Sequence, residues 1–286
     1  VELLGQLLGP VMQLVGLPDS MGLVWATTML TNIYAGMLVF FQLHQSDPLT
    51  VAQVTVLSTL MLFAHGLPVE VRIAQQAGIR VRVSLLLRIG GGLLLAWMQY
   101  RLYEAGDWLQ QSNQLVWAPE PVDSSLQGWL MAQGESLVMI QLIVIVLLTG
   151  LKILKLIGIE RLMAWLLRPL LRVLGIGREA TTITIVGATL GLAFGGGLLI
   201  KEVRAGHVPP KDVFAAMAFL ALCHSLIEDT LLVLVLGADL TGVLWMRLGF
   251  SIVLVAVMTR WLNRQDSGFW KRFLVNRHIE PAAQSN

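Results

Sequence analysis

The sequence predicts an all-α polytopic membrane protein with an inverted-topology repeat. Each copy holds an interfacial helix, a re-entrant hairpin and two spanning helices, and one central spanning helix joins the copies. Three observations predict this: an apolar surplus, the alternation of Lys and Arg along the chain, and a self-match at a fixed offset of 159 residues. Of 286 residues, 56% are hydrophobic and 13% charged, and the mean hydropathy is +0.72. Soluble domains carry about 45–50% apolar and about 25% charged residues. The composition excludes a disordered chain, a disulfide scaffold (Cys223 is the one cysteine) and a nucleic-acid binder. No basic segment precedes the first apolar stretch, so no cleavable signal peptide is expected.

A helix needs about 20 apolar residues to cross the hydrocarbon core. Residues 49–71, 81–103, 136–158, 211–236 and 241–262 satisfy this. Residues 1–16 and 160–174 are shorter, with apolar positions at helical spacing, and read as helices lying along the interface. Residues 20–43 and 179–200 are apolar but interrupted. The first is broken by Thr31-Asn32-Ile33-Tyr34-Ala35-Gly36, the second by Gly187, Gly191 and Gly195-Gly196-Gly197. Glycine favours backbone breaks and close helix approach.

Lys and Arg mark cytoplasmic loops. They are absent from 1–19, 44–50 and the 104–135 loop, which instead carries Glu104, Asp107, Glu120, Asp123 and Glu135. They crowd 72–82, 152–178, 201–211 and the tail from Arg260 to Arg277. Both ends of 20–43 then lie on the non-basic side and both ends of 179–200 on the basic side. The economical solution is two re-entrant hairpins, which survive at membrane depth only when protein or a watery cavity covers them. The alternative is an ordinary tilted helix in each place.

The 159-residue offset matches Leu3, Leu7, Leu8 and Pro10 with Leu162, Leu166, Leu167 and Pro169. It also matches Gly16 with Gly175, Gly36 with Gly195, His65 with His224, Arg88 with Arg247 and Gly90 with Gly249. Leucine matches are cheap in this composition. The histidine match is not, because the chain has five histidines. The organisation that follows is repeat 1 over 1–103, an acidic outer loop over 104–135 and a connecting helix over 136–159. Repeat 2, inverted, covers 160–262, and a basic and polar cytoplasmic tail covers 263–286, disordered from about 278. Inverted repeats of this kind place solute sites at the bilayer midplane and at broken helices.

The chemistry concentrates in His65-Gly66-Leu67-Pro68-Val69-Glu70 and in the matching His224-Ser225-Leu226-Ile227-Glu228-Asp229. Gly66 and Pro68 mark a helix break. His224 and Glu228, four apart, share a face if the helix continues. Glu70 aligns with Asp229. Ionisable groups in spanning helices are costly and face partners or cavities, so the two runs are candidates for a solute or ion site. The competing account makes Glu70–Arg88 and Asp229–Arg247 buried structural pairs, and gives the histidines a hydrogen bond between helices. Asn32, Tyr34 and Gly195 are further candidates at the hairpin tips, against simple packing of small residues for the glycine. A transition metal held by the histidines and carboxylates is a weaker option, since no compact ligand motif such as HExxH is present. Cys223 reads as a small buried apolar residue, about 100° around a helix from His224. No nucleotide loop, nucleophile elbow or dinucleotide fingerprint points to an enzyme.

Three segments carry a family resemblance: Leu8-Gly9-Pro10 through Gly16-Leu17-Pro18, Arg168-Pro169 through Gly175-Ile176-Gly177, and above all His224-Ser225-Leu226-Ile227-Glu228-Asp229-Thr230. Together they resemble the Gate, or nucleoside-recognition, domain of small bacterial membrane proteins. Concentrative nucleoside transporters, the membrane part of bacterial ferrous-iron transporters and spore maturation membrane proteins share that domain. The resemblance covers 1–103 and 160–262. It implies a site built from two hairpins and two broken helices, with roles for Asn32, Tyr34, His65, Glu70, Gly195, His224, Glu228 and Asp229.

The expected function is therefore a transporter-like protein of a bacterial inner membrane that moves a small polar, nucleoside-like solute. No resident cofactor is expected, and Na⁺ or H⁺ is the expected coupling ion. One alternative is a divalent-cation permease using His65, Glu70, His224 and Glu228. Another is a non-transporting assembly protein with a membrane partner. Homo-oligomers are expected from the apolar faces, with lipid as the surrounding partner and no nucleic acid.

Overall fold

The computed structural model describes residues 2–44, 47–115 and 125–275. Trp117, Glu120 and Asp123 of the acidic loop, Arg277 and the end of the tail lie outside the described residues. Among the described residues every regular element is helical, and the extended pairings are two isolated bridges, Thr50 with Ser112 and Ile79 with Val275.

The chain runs α1 (Glu2–Leu14), α2 (Met21–Leu30), α3 (Ile33–His44), α4 (Val51–Phe63) and α5 (Leu67–Gln76). It continues with α6 (Val81–Gly106), α7 (Leu126–Leu156), α8 (Ile159–Val173), α9 (Arg178–Leu190) and α10 (Leu192–Arg204). It ends with α11 (Pro210–Leu222), α12 (Glu228–Val235), α13 (Thr241–Leu262) and a short helical strap from Ser267 to Leu274. By length and composition α6, α7 and α13 can each cross a membrane, and α4 with α5 makes a fourth if the bent pair counts as one span. The 136–158 helix begins ten residues earlier than the charge pattern suggested, because Leu126 to Glu135 extends it as a regular helix.

Local chemistry explains the boundaries. Thr50 and Gln53 form a reciprocal capping box that starts α4. Asn32 Oδ1 accepts the Ala35 N–H at 2.9 Å and so opens α3 after the interruption at Thr31. Hydroxyls within apolar helices bond back to the carbonyl four residues earlier, as Thr28 does to Val24, Thr184 to Ala180 and Ser251 to Arg247. This removes the cost of an unmet hydroxyl in an apolar setting. Both α6 and α13 contain a π-helical turn, Leu86–Gly90 and Thr241–Met246; buried Arg88 lies within the first and buried Arg247 directly follows the second.

The chain divides into two compact units, and each draws on distant segments. Unit 1 comprises Val1–Gly66, Leu93–Ile157 and Glu228–Val243. Unit 2 comprises Leu67–Gly92, Gly158–Ile227 and Leu244–Asn286. In unit 1 the segment after α6 folds back: Asn113 N donates to Leu49 O, and Asn113 Nδ2 donates to Leu236 O at 2.9 Å. In unit 2 the segment after α13 folds back likewise, and its Leu274 carbonyl accepts the Arg80 N–H at 3.0 Å.

The same backbone devices occur 159 residues apart. Left-handed conformations pair at Gly16 and Gly175, at Gly66 and Ser225, and at Gly78 and Gly237. The N–H of Gly66 donates to Thr28 O, and that of Ser225 lies 3.5 Å from Gly187 O. A Cβ on Gly36 would overlap the Thr28 hydroxyl, and one on Gly195 would overlap the Gly187 backbone.

These last contacts predict an order of sensitivity. Gly195→Ala is expected to lower thermal stability most, by about 1–3 kcal/mol or more, because backbone cannot move aside. Gly36→Ala costs about 1 kcal/mol, the worth of the Thr28–Val24 bond that must rotate away. Gly197→Ala, with open space around it, leaves stability unchanged or slightly raised. Unfolding curves in detergent test the order, and an equal response from Gly195→Ala and Gly197→Ala would contradict it.

Candidate functional site

The two histidines sit at helix breaks, where backbone carbonyls lose their usual partners. α4 ends at Ala64 (φ −130°, ψ 54°) and α11 ends at Cys223 (φ −146°, ψ 70°). His65 and His224 follow directly, both buried. His65 Nδ1 lies 3.1 Å from Met61 O, and His224 Nδ1 lies 2.8 Å from Leu220 O. Each ring thus caps the helix it follows. Cys223 and His224 are not on a continuing helix, so the angular offset expected between them does not apply. Neither does the shared face of His224 and Glu228, because Glu228 starts a new helix.

The other ring nitrogen of each histidine meets an acid from the opposite half of the sequence. In unit 1, His65 Nε2 lies 3.7 Å from Asp229 Oδ2. In unit 2, His224 Nε2 lies 3.2 Å from Glu70 Oε1. Glu70 also pairs with Arg88, whose side chain is fully buried. Arg247, equally buried, donates from Nε to Leu222 O and from Nη2 to His224 O, both at 3.0 Å. The Glu70–Arg88 pair of the competing structural account is therefore present. It coexists with an acid–histidine contact that sequence reasoning did not anticipate.

This geometry fixes the hydrogen on one nitrogen of each ring. A carbonyl only accepts, so Nδ1 of each ring carries hydrogen. Nε2 of a neutral ring is then a bare acceptor facing a carboxylate oxygen. A hydrogen bond between Nε2 and the carboxylate needs a proton held between them, and at Glu70 the Arg88 guanidinium already balances the carboxylate charge.

The remaining candidates divide. Tyr34, half-buried in α3, donates its hydroxyl to Glu228 Oε1 at 3.1 Å within unit 1. At the 159-residue offset, Ala193 and Val69 stand in place of Tyr34 and Glu228. This polar pair therefore has no counterpart in unit 2. Asn32 is exposed and engaged in capping α3, and Gly195 is buried against Gly187. These two shape the helix–break–helix elements. Outside the membrane-capable helices, burial pushes the His44 imidazole below its ordinary value, opposed by the nearby Asp47 carboxylate.

Among curated proteins, the chain is similar to the uncharacterized membrane protein YvoD of Bacillus subtilis (strain 168). The two are 29% identical over 276 residues, which cover 95% of this chain and 87% of the relative. The chain is a membrane protein. No family model and no solved structure matches it.

Sequence reasoning missed the carbonyl acceptors and the crossing of the pairs. The signal was available in part: an offset that aligns His65 with His224 and Glu70 with Asp229 leaves crossed and uncrossed pairings equally open. A double-mutant cycle on His224→Ala and Glu70→Gln is expected to give a coupling of about 0.5–3 kcal/mol in thermal unfolding. Strictly additive losses would show that the contact carries no energy.

Proposed function

We propose that this membrane protein is a carrier for a small polar solute, nucleoside-like in class, coupled to H⁺ or Na⁺ in a bacterial inner membrane. We read its two halves as inverted copies whose hairpins, α2–α3 and α9–α10, are re-entrant. The recurrence of helix breaks, left-handed residues and glycine contacts at one offset supports the duplication. The pairing supports it as well. If residue i of copy 1 meets residue j of copy 2, a two-fold relation requires j of copy 1 to meet i of copy 2. His65–Asp229 and His224–Glu70 obey that rule.

The observation that carries the functional reading is the pair of histidine–carboxylate contacts at breaks in apolar helices. Intramembrane ionisable groups are retained at a cost, and they mark ion or substrate paths. Broken helices supply backbone polar groups for a solute, as secondary transporters use them. Tyr34 and Glu228 add a hydroxyl and a carboxylate on one side only, which suits an asymmetric solute.

Uptake by proteoliposomes, with thermal unfolding as a second readout, tests this. Nucleosides or nucleobases are expected to raise the unfolding temperature in the presence of Na⁺ or at acidic pH. Glu228→Gln and Asp229→Asn are each expected to reduce uptake at least tenfold. Full uptake in both variants would remove the reading. A metal-dependent shift lost in His224→Ala would favour a divalent-cation permease instead. No response to any ligand, with a co-purifying membrane protein, would favour an assembly role.

Topology has its own test. With Cys223→Ser as background, Arg178→Cys and Arg204→Cys are expected to label from the same, cytoplasmic, side. Labelling from opposite sides would make α9–α10 a span rather than a hairpin.

A further inference from the structure

We propose that Arg82 and Arg272, gathered around Phe273 in unit 2, bind the phosphodiester of an anionic phospholipid. The guanidinium carbons of Arg82 and Arg272 lie 5.7 and 5.3 Å from the Phe273 ring centroid. Arg82 Nη2 also donates to the backbone carbonyl of Arg272 at 2.9 Å. Both arginines are exposed, and among the described residues neither has a carboxylate partner. The acid just before this strap, Asp266, instead accepts the Phe269 N–H at 2.8 Å.

Two like charges on one ring repel, so something other than their own interaction holds them there. The backbone does: Ile79 bridges Val275, and Arg80 N donates to Leu274 O. The Trp270 indole donates to Leu262 O at 3.0 Å, tying the strap to the end of α13. The fold therefore presents two planar five-donor forks side by side, and a phosphate accepts such forks in bidentate fashion. The surroundings choose the source of the phosphate. Trp261 is 53% exposed and packs edge-on against Phe269, and Phe273 is 40% exposed. Lys211 stands over Trp270 at 5.9 Å. Exposed aromatics beside basic groups at the end of a spanning helix belong to the headgroup region, where anionic lipids concentrate against such clusters.

The test uses the full chain in neutral detergent, followed by thermal unfolding and native mass spectrometry. Phosphatidylglycerol is expected to raise the unfolding temperature and to remain bound, whereas phosphatidylcholine does neither. The Arg82→Gln/Arg272→Gln variant is expected to lose the phosphatidylglycerol increment while unfolding in detergent alone like the parent. Should that variant fail to fold, Arg272→Gln alone, which keeps the backbone acceptor of Arg82, is expected to retain less phosphatidylglycerol. Equal increments from both lipids would overturn the proposal. So would inorganic phosphate matching phosphatidylglycerol, which would make this a site for soluble phosphate. Undiminished lipid retention in either variant would overturn it as well.

Discussion

A helix interrupted among apolar helices leaves backbone donors and acceptors that no water can meet, at several kcal/mol for each unmet group. The architecture around both breaks answers that demand. Gly66 N finds Thr28 O, and Leu226 N finds Ala188 O at 2.8 Å, so the neighbouring helix–break–helix elements supply acceptors. Met61 O and Leu220 O are met by histidine rings, and Leu222 O and His224 O by Arg247. The histidines serve first as caps. Their second nitrogens face carboxylates because their first nitrogens are committed to carbonyls. The polar constellation that attracts a functional reading thus grows out of a backbone requirement.

The two units meet this requirement alike and then diverge. Unit 2 holds both buried arginines, and Glu70 is shared between Arg88 and His224. Unit 1 holds the Tyr34–Glu228 hydrogen bond, whose matching positions are Ala193 and Val69. The 159-residue offset separates residues around the breaks that recur from residues that do not. The histidines, Glu70 and Asp229 belong to the first group, and their contacts are also those on which the proposed ion coupling rests. Tyr34 and Glu228 belong to the second group.

Much of this was legible in the sequence. Composition and hydropathy indicated membrane helices, and α6 and α13 begin and end close to the apolar runs that announced them. The Gly66-Leu67-Pro68 run announced a break, and His65 and His224 drew notice as repeated ionisable residues in apolar surroundings. Other features were not legible. Helical spacing at His224 and Glu228 suggested a continuous face, yet the chain leaves the helix at Cys223, and Ser225 takes a left-handed conformation that non-glycine residues seldom adopt. Nothing in local pattern tells which acid a histidine meets, because that depends on contacts between residues more than 150 positions apart. Asn32 drew notice for its hydrogen-bonding capacity, and it spends that capacity on the first turn of α3.

The division into units carries a consequence for biosynthesis. Unit 1 is incomplete until Glu228–Val243 is translated, and unit 2 takes Leu67–Gly92 from a much earlier stretch. A nascent chain that has delivered its first half to the insertion machinery therefore owns neither finished body. His65 must wait for Asp229, and Glu70 for His224. The Glu70–Arg88 pair, both of whose members lie in that early stretch, needs nothing made later, whereas each histidine contact closes only after the second half has emerged.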